Sequence, residues 1–161
     1  MSKHPSNAQN TKRRLLKWAG FIFVGLLIYF GNKTLQTHLG HQALQQIEFD
    51  VLDLNVALAK AEAHEKLVLA DMSAIWCPTC RKLDKTIFAN QDVNKMIEEH
   101  FVFARVEYES EQGKAFMQKY RVAGFPVLLV LDGEGKKLTR LPLTFESDEF
   151  IGNLEAILAM R

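Results

Sequence analysis

Cysteine is scarce in this chain. Its 161 residues include two, Cys77 and Cys80, too few for a small domain stapled by several disulfides. Four prolines and nine glycines are too few for a collagen-like or low-complexity chain, while 48% hydrophobic and 10% aromatic content supplies the side chains of a core. The length suits one domain of ordinary size with a short appendage, not two full domains. Internal repeats are lacking. Acid is missing from the N-terminal end, where Lys3, Lys12, Arg13, Arg14 and Lys17 face no Asp or Glu before Glu48. Taking those five from the 20 basic residues leaves 15 against 19 acidic ones, so the formal charge of +1 conceals an acidic body with a basic tip. A nucleic-acid surface would need Lys and Arg clustered on the folded part, and this distribution argues against one.

Residues 1–14 are polar, with nothing to bury, and are expected to be a disordered tail. Residues 15–31 are almost continuously apolar, broken only by Lys17. As a helix they would reach about 26 Å at 1.5 Å per residue, slightly short of a hydrocarbon core. Lys17 can snorkel, and Trp18 and Tyr29 can sit at the two interfaces, so a single transmembrane anchor is expected. Basic residues before the run place the N-terminus in the cytoplasm and the remainder outside. A cleaved signal peptide would begin in the same way, but the Gly31–Ala43 stretch offers no Ala-x-Ala-like cleavage site, which favours an uncleaved signal-anchor. Residues 32–43 read as a polar linker, with His38 and His41 as solvated side chains rather than a metal pair.

Residues 44–161 alternate between strand and helix patterns. Leu67–Ala70, Phe101–Val106 and Val127–Leu131 are buried-strand runs, and Asp132-Gly133-Glu134-Gly135 is a hairpin turn into a last strand near Lys137–Leu141. Leu52–Glu65, Asp92–Glu99, Gln112–Tyr120 and Asp148–Met160 have helical spacing, with Ser147 capping the last. The order β-α-β-α-α-β-α-β-β-α predicts an α/β sandwich around a mixed sheet whose last two strands are antiparallel.

Cys77 and Cys80 lie in Trp76-Cys77-Pro78-Thr79-Cys80-Arg81-Lys82, after a predicted strand and at the start of a predicted helix. Two thiols three apart on a first helical turn can close a small disulfide ring, and the helix N-terminus favours a thiolate at the first. Cys77 is the candidate nucleophile. Pro78 fits just inside the helix, where a missing N–H costs nothing. Cys80 is placed to attack a mixed disulfide on Cys77. The same pair could be half of a zinc site, but no second pair exists, and His64 and His100 lack ligand spacing. Cu(I) delivery by the two thiols is a weaker alternative.

Here the chain resembles the thioredoxin superfamily. Leu67-Val68-Leu69-Ala70-Asp71, followed by Ser73-Ala74-Ile75-Trp76-Cys77, looks like the family's central strand with its buried acid six residues before the first cysteine. Gly124-Phe125-Pro126-Val127 is similar to the loop that carries the family's cis-proline, and Arg105 falls where a basic residue commonly neighbours the buried acid. The resemblance covers about residues 47–161. Within the superfamily, Cys80-Arg81-Lys82-Leu83-Asp84-Lys85-Thr86-Ile87-Phe88 looks most like membrane-tethered periplasmic thioredoxin-like proteins of bacteria.

The resemblance implies a thioredoxin-like fold after a single N-terminal transmembrane helix, and a thiol–disulfide oxidoreductase of the inner membrane whose domain is periplasmic. Asp71 would be a buried carboxyl with a raised pKa that takes the proton of Cys80. Arg105 would tune it. Pro126 would face the disulfide, with the backbone of Phe125 pairing with an extended substrate and Trp76 shielding the cysteines. Pro78 and Thr79 depart from the thioredoxin dipeptide and bear on redox tuning, as bulky Phe125 bears on substrate choice. No cofactor is expected beyond the Cys77–Cys80 disulfide. The partners would be exported protein thiols or disulfides and an integral-membrane electron donor or acceptor. Such anchored domains resemble reductases, although a proline after the nucleophile also suits an oxidase or isomerase. The competing class is an interaction or chaperone module with a structural disulfide. Glu107, Glu109 and Glu111 read as a solvated face, and Phe88, Phe101, Phe103 and Phe116 as core.

Overall fold

A computed structural model describes residues 7–160. Helix α1 (Asn7–Leu44) contains the whole apolar run and is long and apolar enough to cross a membrane. Large side chains along it, among them Leu15, Trp18, Phe21, Leu27 and Phe30, are exposed, as in a helix apolar all round rather than one turning a stripe to a core.

The helix exceeds the expected span at both ends. Residues 7–14, expected to be disordered, form its first turns, and residues 1–6 lie outside the described residues. Residues 32–43, expected to be a linker, form its last turns. Ala8, Gln9, Arg13 and Arg14 before the run and Leu35, Gln36, Gln42 and Ala43 after it are good helix formers without an intervening proline. Extending a formed helix through such residues is far easier than nucleating one. The chain divides after Leu35, so the compact unit that carries the cysteines begins at Gln36, ahead of the expected boundary at residue 44.

That unit continues with α2 (Leu54–Ala63), β1 (Leu67–Ser73) and α3 (Pro78–Leu83), which runs into one π-helical turn at Asp84–Phe88. There follow α4 (Gln91–His100), β2 (Phe101–Glu107), α5 (Glu111–Tyr120), β3 (Val127–Leu131), β4 (Lys137–Arg140) and α6 (Ser147–Leu158). Among the described residues the sheet has four strands in the order β2-β1-β3-β4. β1 and β2 are parallel, β3 is antiparallel to β1, and β4 is antiparallel to β3.

The strand expected ahead of α2 is reduced to one bridge between Leu52 and Ala104. Asp50 and Asp53 bracket Val51-Leu52, so the apolar run is too short to extend, and Asp53 already precedes the first turn of α2. Ser147 is the first residue of α6 rather than its cap; its hydroxyl donates to the Thr86 carbonyl at 3.3 Å. The side chain of the N-cap residue, Glu146, makes no capping hydrogen bond; just ahead of it the Thr144 hydroxyl accepts the Glu146 N–H at 3.2 Å and donates to Glu149 at 2.6 Å. The hairpin turn falls where expected: Asp132 Oδ1 accepts the Lys136 N–H at 2.8 Å, and Gly135 takes the positive φ of 76° that favours glycine. β4 forms a sheet edge with Lys137, Leu138 and Arg140 exposed.

β1 is buried along its whole length, as befits a central strand covered on both faces. Its period of two sends Leu67 and Leu69 into a cluster with Phe88, Ile97, Phe103, Phe150 and Leu154, and sends Val68, Ala70 and Met72 into a second with Ala57, Ala61 and Phe116. Asp71 and Ser73 continue the first face. On β2 the same alternation follows Phe101 and Phe103 with Arg105 and Glu107. Parallel register sets Asp71 beside Arg105 and Ser73 beside Glu107, on the face to which the helical segment after the cysteines contributes Leu83, Ile87 and Phe88.

Candidate functional site

The chain leaves β1 at Ser73 and reaches Cys77 after three residues. Cys77 is the N-cap of α3, with extended backbone angles (φ −79°, ψ 121°), and its Sγ accepts the Cys80 N–H at 3.1 Å. The sulfur does here what a Ser or Asp oxygen does at other helix starts. Pro78 occupies the first turn. Both cysteines are free thiols and both are buried, Cys77 at 5% exposure and Cys80 at 2%. Pro78 and Thr79 between them are exposed. Burial pushes the Cys80 thiol up to about 12, helped by its hydrogen bond with Cys77 and opposed by the Ser73 hydroxyl and the Ala74 backbone.

Beneath the cysteines lies a buried polar cluster. Asp71 is 1% exposed, and burial raises its carboxyl to about 7 against the pull of Arg105. The Arg105 Nε is 3.2 Å from Asp71 Oδ2, an ion pair whose angle is poor for a hydrogen bond. Arg105 also donates through Nη1 to Ser73 Oγ at 2.9 Å and through Nη2 to Asp84 Oδ1. Burial alone would lower the guanidinium, but Asp71 and Asp84 outweigh it and hold Arg105 charged. Burial raises Asp84 too, against Arg105. One cation faces two buried carboxylates, and Asp71, raised to about 7, can gain or lose a proton near neutral pH. Asp71 Oδ1 has no hydrogen-bond partner among the described residues, which leaves it free to carry that proton.

Aromatic rings close the site. Trp76 meets Phe125 edge to face at 5.4 Å between centroids, and Tyr108 lies 4.7 Å from Phe125. Trp76, Tyr108 and Phe125 pack against Ala74, Cys77 and Cys80. The Phe125–Pro126 peptide is cis, and both residues are half-buried.

Of the site residues singled out in the sequence, Asp71, Trp76, Arg105 and Phe125 lie in or against this cluster with the two cysteines, while Pro78, Thr79 and Pro126 adjoin its members along the chain; Ser73, Asp84, Glu107 and Tyr108 join it without a role assigned from sequence. Glu107 corrects an expectation. Rather than facing solvent it is half-buried, and both of its oxygens accept the Ile75 N–H, at 3.1 and 3.2 Å. The available signal was period two from Arg105. His38 pairs with Gln42 at 3.2 Å, and no group of three or more metal-binding side chains occurs among the described residues.

Comparison with known proteins agrees with this geometry. The chain is 29% identical over 116 residues to the thiol:disulfide interchange protein DsbD of Yersinia enterocolitica, covering 71% of this chain and 20% of that protein. The chain thus spans about a fifth of the length of the curated relatives it matches. A putative disulphide-isomerase from Bacteroides thetaiotaomicron superposes with a TM-score of 0.60 at 28% identity, covering 71% of this chain and 95% of that one. The oxidised C-terminal domain of Neisseria meningitidis DsbD superposes with a TM-score of 0.55 at 22% identity, covering 66% and 98%, a likeness of fold. Residues 54–157, most of the chain, match the family described as Thioredoxin-like domain, and with a mixed sheet flanked by helices and a Cys-x-x-Cys helix start, the chain belongs to that family.

Proposed function

We propose that this chain is a thiol–disulfide oxidoreductase anchored in a bacterial inner membrane, with its domain in the periplasm, and that it works as a reductase on exported proteins. The observation that carries this reading is the pair itself: Cys77 at a helix N-cap and Cys80 hydrogen-bonded to it and buried, linked through Ser73 and Arg105 to the Asp71 carboxyl poised near neutrality. Relatives named for thiol:disulfide interchange support it.

In the reducing direction, deprotonated Cys77 attacks one sulfur of a substrate disulfide. The substrate S–S bond breaks, a mixed disulfide forms on Cys77, and the other substrate sulfur leaves as a thiolate that takes a proton from water. Cys80 then gives its proton to ionised Asp71 and attacks Cys77 Sγ, releasing the second substrate thiolate. Two electrons have passed to the substrate, and the chain holds a Cys77–Cys80 disulfide. The pair itself is the only redox group in the cycle. A dithiol donor of the membrane resets it by the reverse exchange. A raised Cys80 pKa suits this direction once a base has taken its proton, because the resulting thiolate is a strong nucleophile and a poor leaving group after the disulfide has closed. Pro126 and the Phe125 backbone border the path of an extended substrate segment, with Trp76 beside the sulfurs.

The test is equilibration of the full chain in detergent with glutathione buffers, followed by thiol trapping. A two-electron transition below about −200 mV is expected, and Cys77→Ser should abolish exchange while the chain still melts cooperatively. A transition above about −150 mV would make the chain a disulfide donor. Retained biological function in Cys77→Ser would instead favour an interaction module.

A further inference from the structure

The last turns of α1, from Gln36 to Leu44, belong to the same compact unit as the cysteines. Gly40 is buried there, and a β-carbon built on it would lie 2.0 Å from the Ile75 carbonyl oxygen and 3.0 Å from the Ile75 carbonyl carbon. Contacts under 3.0 Å are essentially never made by real β-carbons, so only a bare Cα lets the helix come this close. The N–H of the same Ile75 is held by Glu107. Ile75 is therefore held at its nitrogen by Glu107 of β2, and its carbonyl packs directly against α1 at Gly40, two residues before Cys77. Immediately after Cys80, Arg81 donates through Nη1 to Gln36 Oε1 at 2.5 Å. Gln36 and Gly40 are one helical turn apart on a single face, and between them they touch the chain on both sides of Trp76-Cys77-Pro78-Thr79-Cys80. His41, next along the helix, draws Glu107 toward its charged form, against the burial that raises it.

We propose that Gln36–Leu44 splints the cysteine loop, with Gln36 and Gly40 as positioning residues that fix the Ile75 peptide and Arg81 and so the placement of the two sulfurs. The placement sets the effective concentration of one thiol at the other, and hence how readily the disulfide closes. The redox consequence rests on the oxidoreductase reading above; the positional claim does not.

The experiment uses the full chain in detergent micelles and compares Gly40→Val, Gln36→Ala and Gln36→Glu, the last of which keeps an acceptor for Arg81. The readouts are the alkylation rate of Cys77 in the reduced protein, followed by peptide mass spectrometry, and the equilibrium constant with glutathione. Gly40→Val and Gln36→Ala should each change the Cys77 alkylation rate and the equilibrium constant by about threefold or more, while Gln36→Glu stays near the parent. Should Gly40→Val fail to fold, the two Gln36 variants decide. Unchanged alkylation in folded Gln36→Ala, or equal changes in Gln36→Ala and Gln36→Glu, would overturn the splint. A parent chain that does not exchange with glutathione at all would overturn the oxidoreductase reading and leave the splint to be judged on alkylation alone.

Discussion

One guanidinium faces two carboxylates beneath the cysteines, and the balance falls on Asp71. Its carboxyl rises from an ordinary 3.8 to about 7, chiefly through burial. An acid whose pKa is higher in the folded state than in the unfolded chain supports the fold most fully below its unfolded pKa, and that support is lost as pH rises through the folded one. Asp71→Asn should therefore melt at nearly the parent temperature at pH 4 and above it at pH 8. At 1.36 kcal/mol per unit the ceiling on that gain is about 4 kcal/mol, reduced by whatever hydrogen bonds the new amide leaves unmade. The same variant should lose the inflection near pH 7 in its exchange rate; an unaltered pH profile would remove Asp71 from the proton path. Cys77 and Cys80 stood out by their spacing at a predicted helix start, whereas Asp71 and Pro126 entered only through the family resemblance. Ser73, Asp84 and Glu107 did neither. Each is a common polar residue whose partner, Arg105 or the Ile75 amide, is more than twenty positions away in the chain, or comes close only through sheet register.

The helical segment after the cysteines is two pieces, a short α-helix and the π-helical turn Asp84–Phe88. That turn buries Asp84, Ile87 and Phe88 together, so one insertion in the helical winding supplies both core and an ionisable partner for Arg105. Asp84 lies four residues after buried Cys80 and three before buried Ile87, the spacing of one helical face, so it shares the buried side of the segment. Asp84→Asn removes a charge that helps hold Asp71 up and leaves Arg105 to Asp71 alone. The inflection assigned to Asp71 should then move to lower pH, at a stability cost of about 1–3 kcal/mol for weakening a buried charged hydrogen bond. An inflection that stays in place would mean that Asp84 serves packing only. Strands β1, β2 and β3 were legible because runs buried on both faces need no alternation to be recognised. The strand before α2 shrank to a bridge because two aspartates bracket its apolar pair. The ends of α1 were misjudged because polarity was taken for irregularity, whereas helix propagation tolerates polar residues well.

At the scale of the whole molecule, a helix long and apolar enough for a membrane belongs to the same chain as a domain of the thioredoxin-like family. The basic cluster ahead of the apolar run and its exposed side chains predict an uncleaved anchor. Full-length protein should stay in the membrane fraction through alkaline washing, and a periplasm-dependent reporter fused after Arg161 should be active. A shortened, soluble product would mean cleavage. The long apolar helix was legible because its run of side chains is continuous in the sequence; where the folded unit begins was not, because Gly40 gives no hint in sequence that a backbone contact needs it. The two edges of the sheet have a further bearing on association between chains. At one edge β4 exposes Lys137 and Arg140, and along the other the Leu52 bridge occupies backbone groups of Phe103 and Arg105. Charge on one side and an occupied backbone on the other discourage any extended chain, a second copy of this one included, from adding itself as a fifth strand, so the exposed ends of the sheet do not template its own growth.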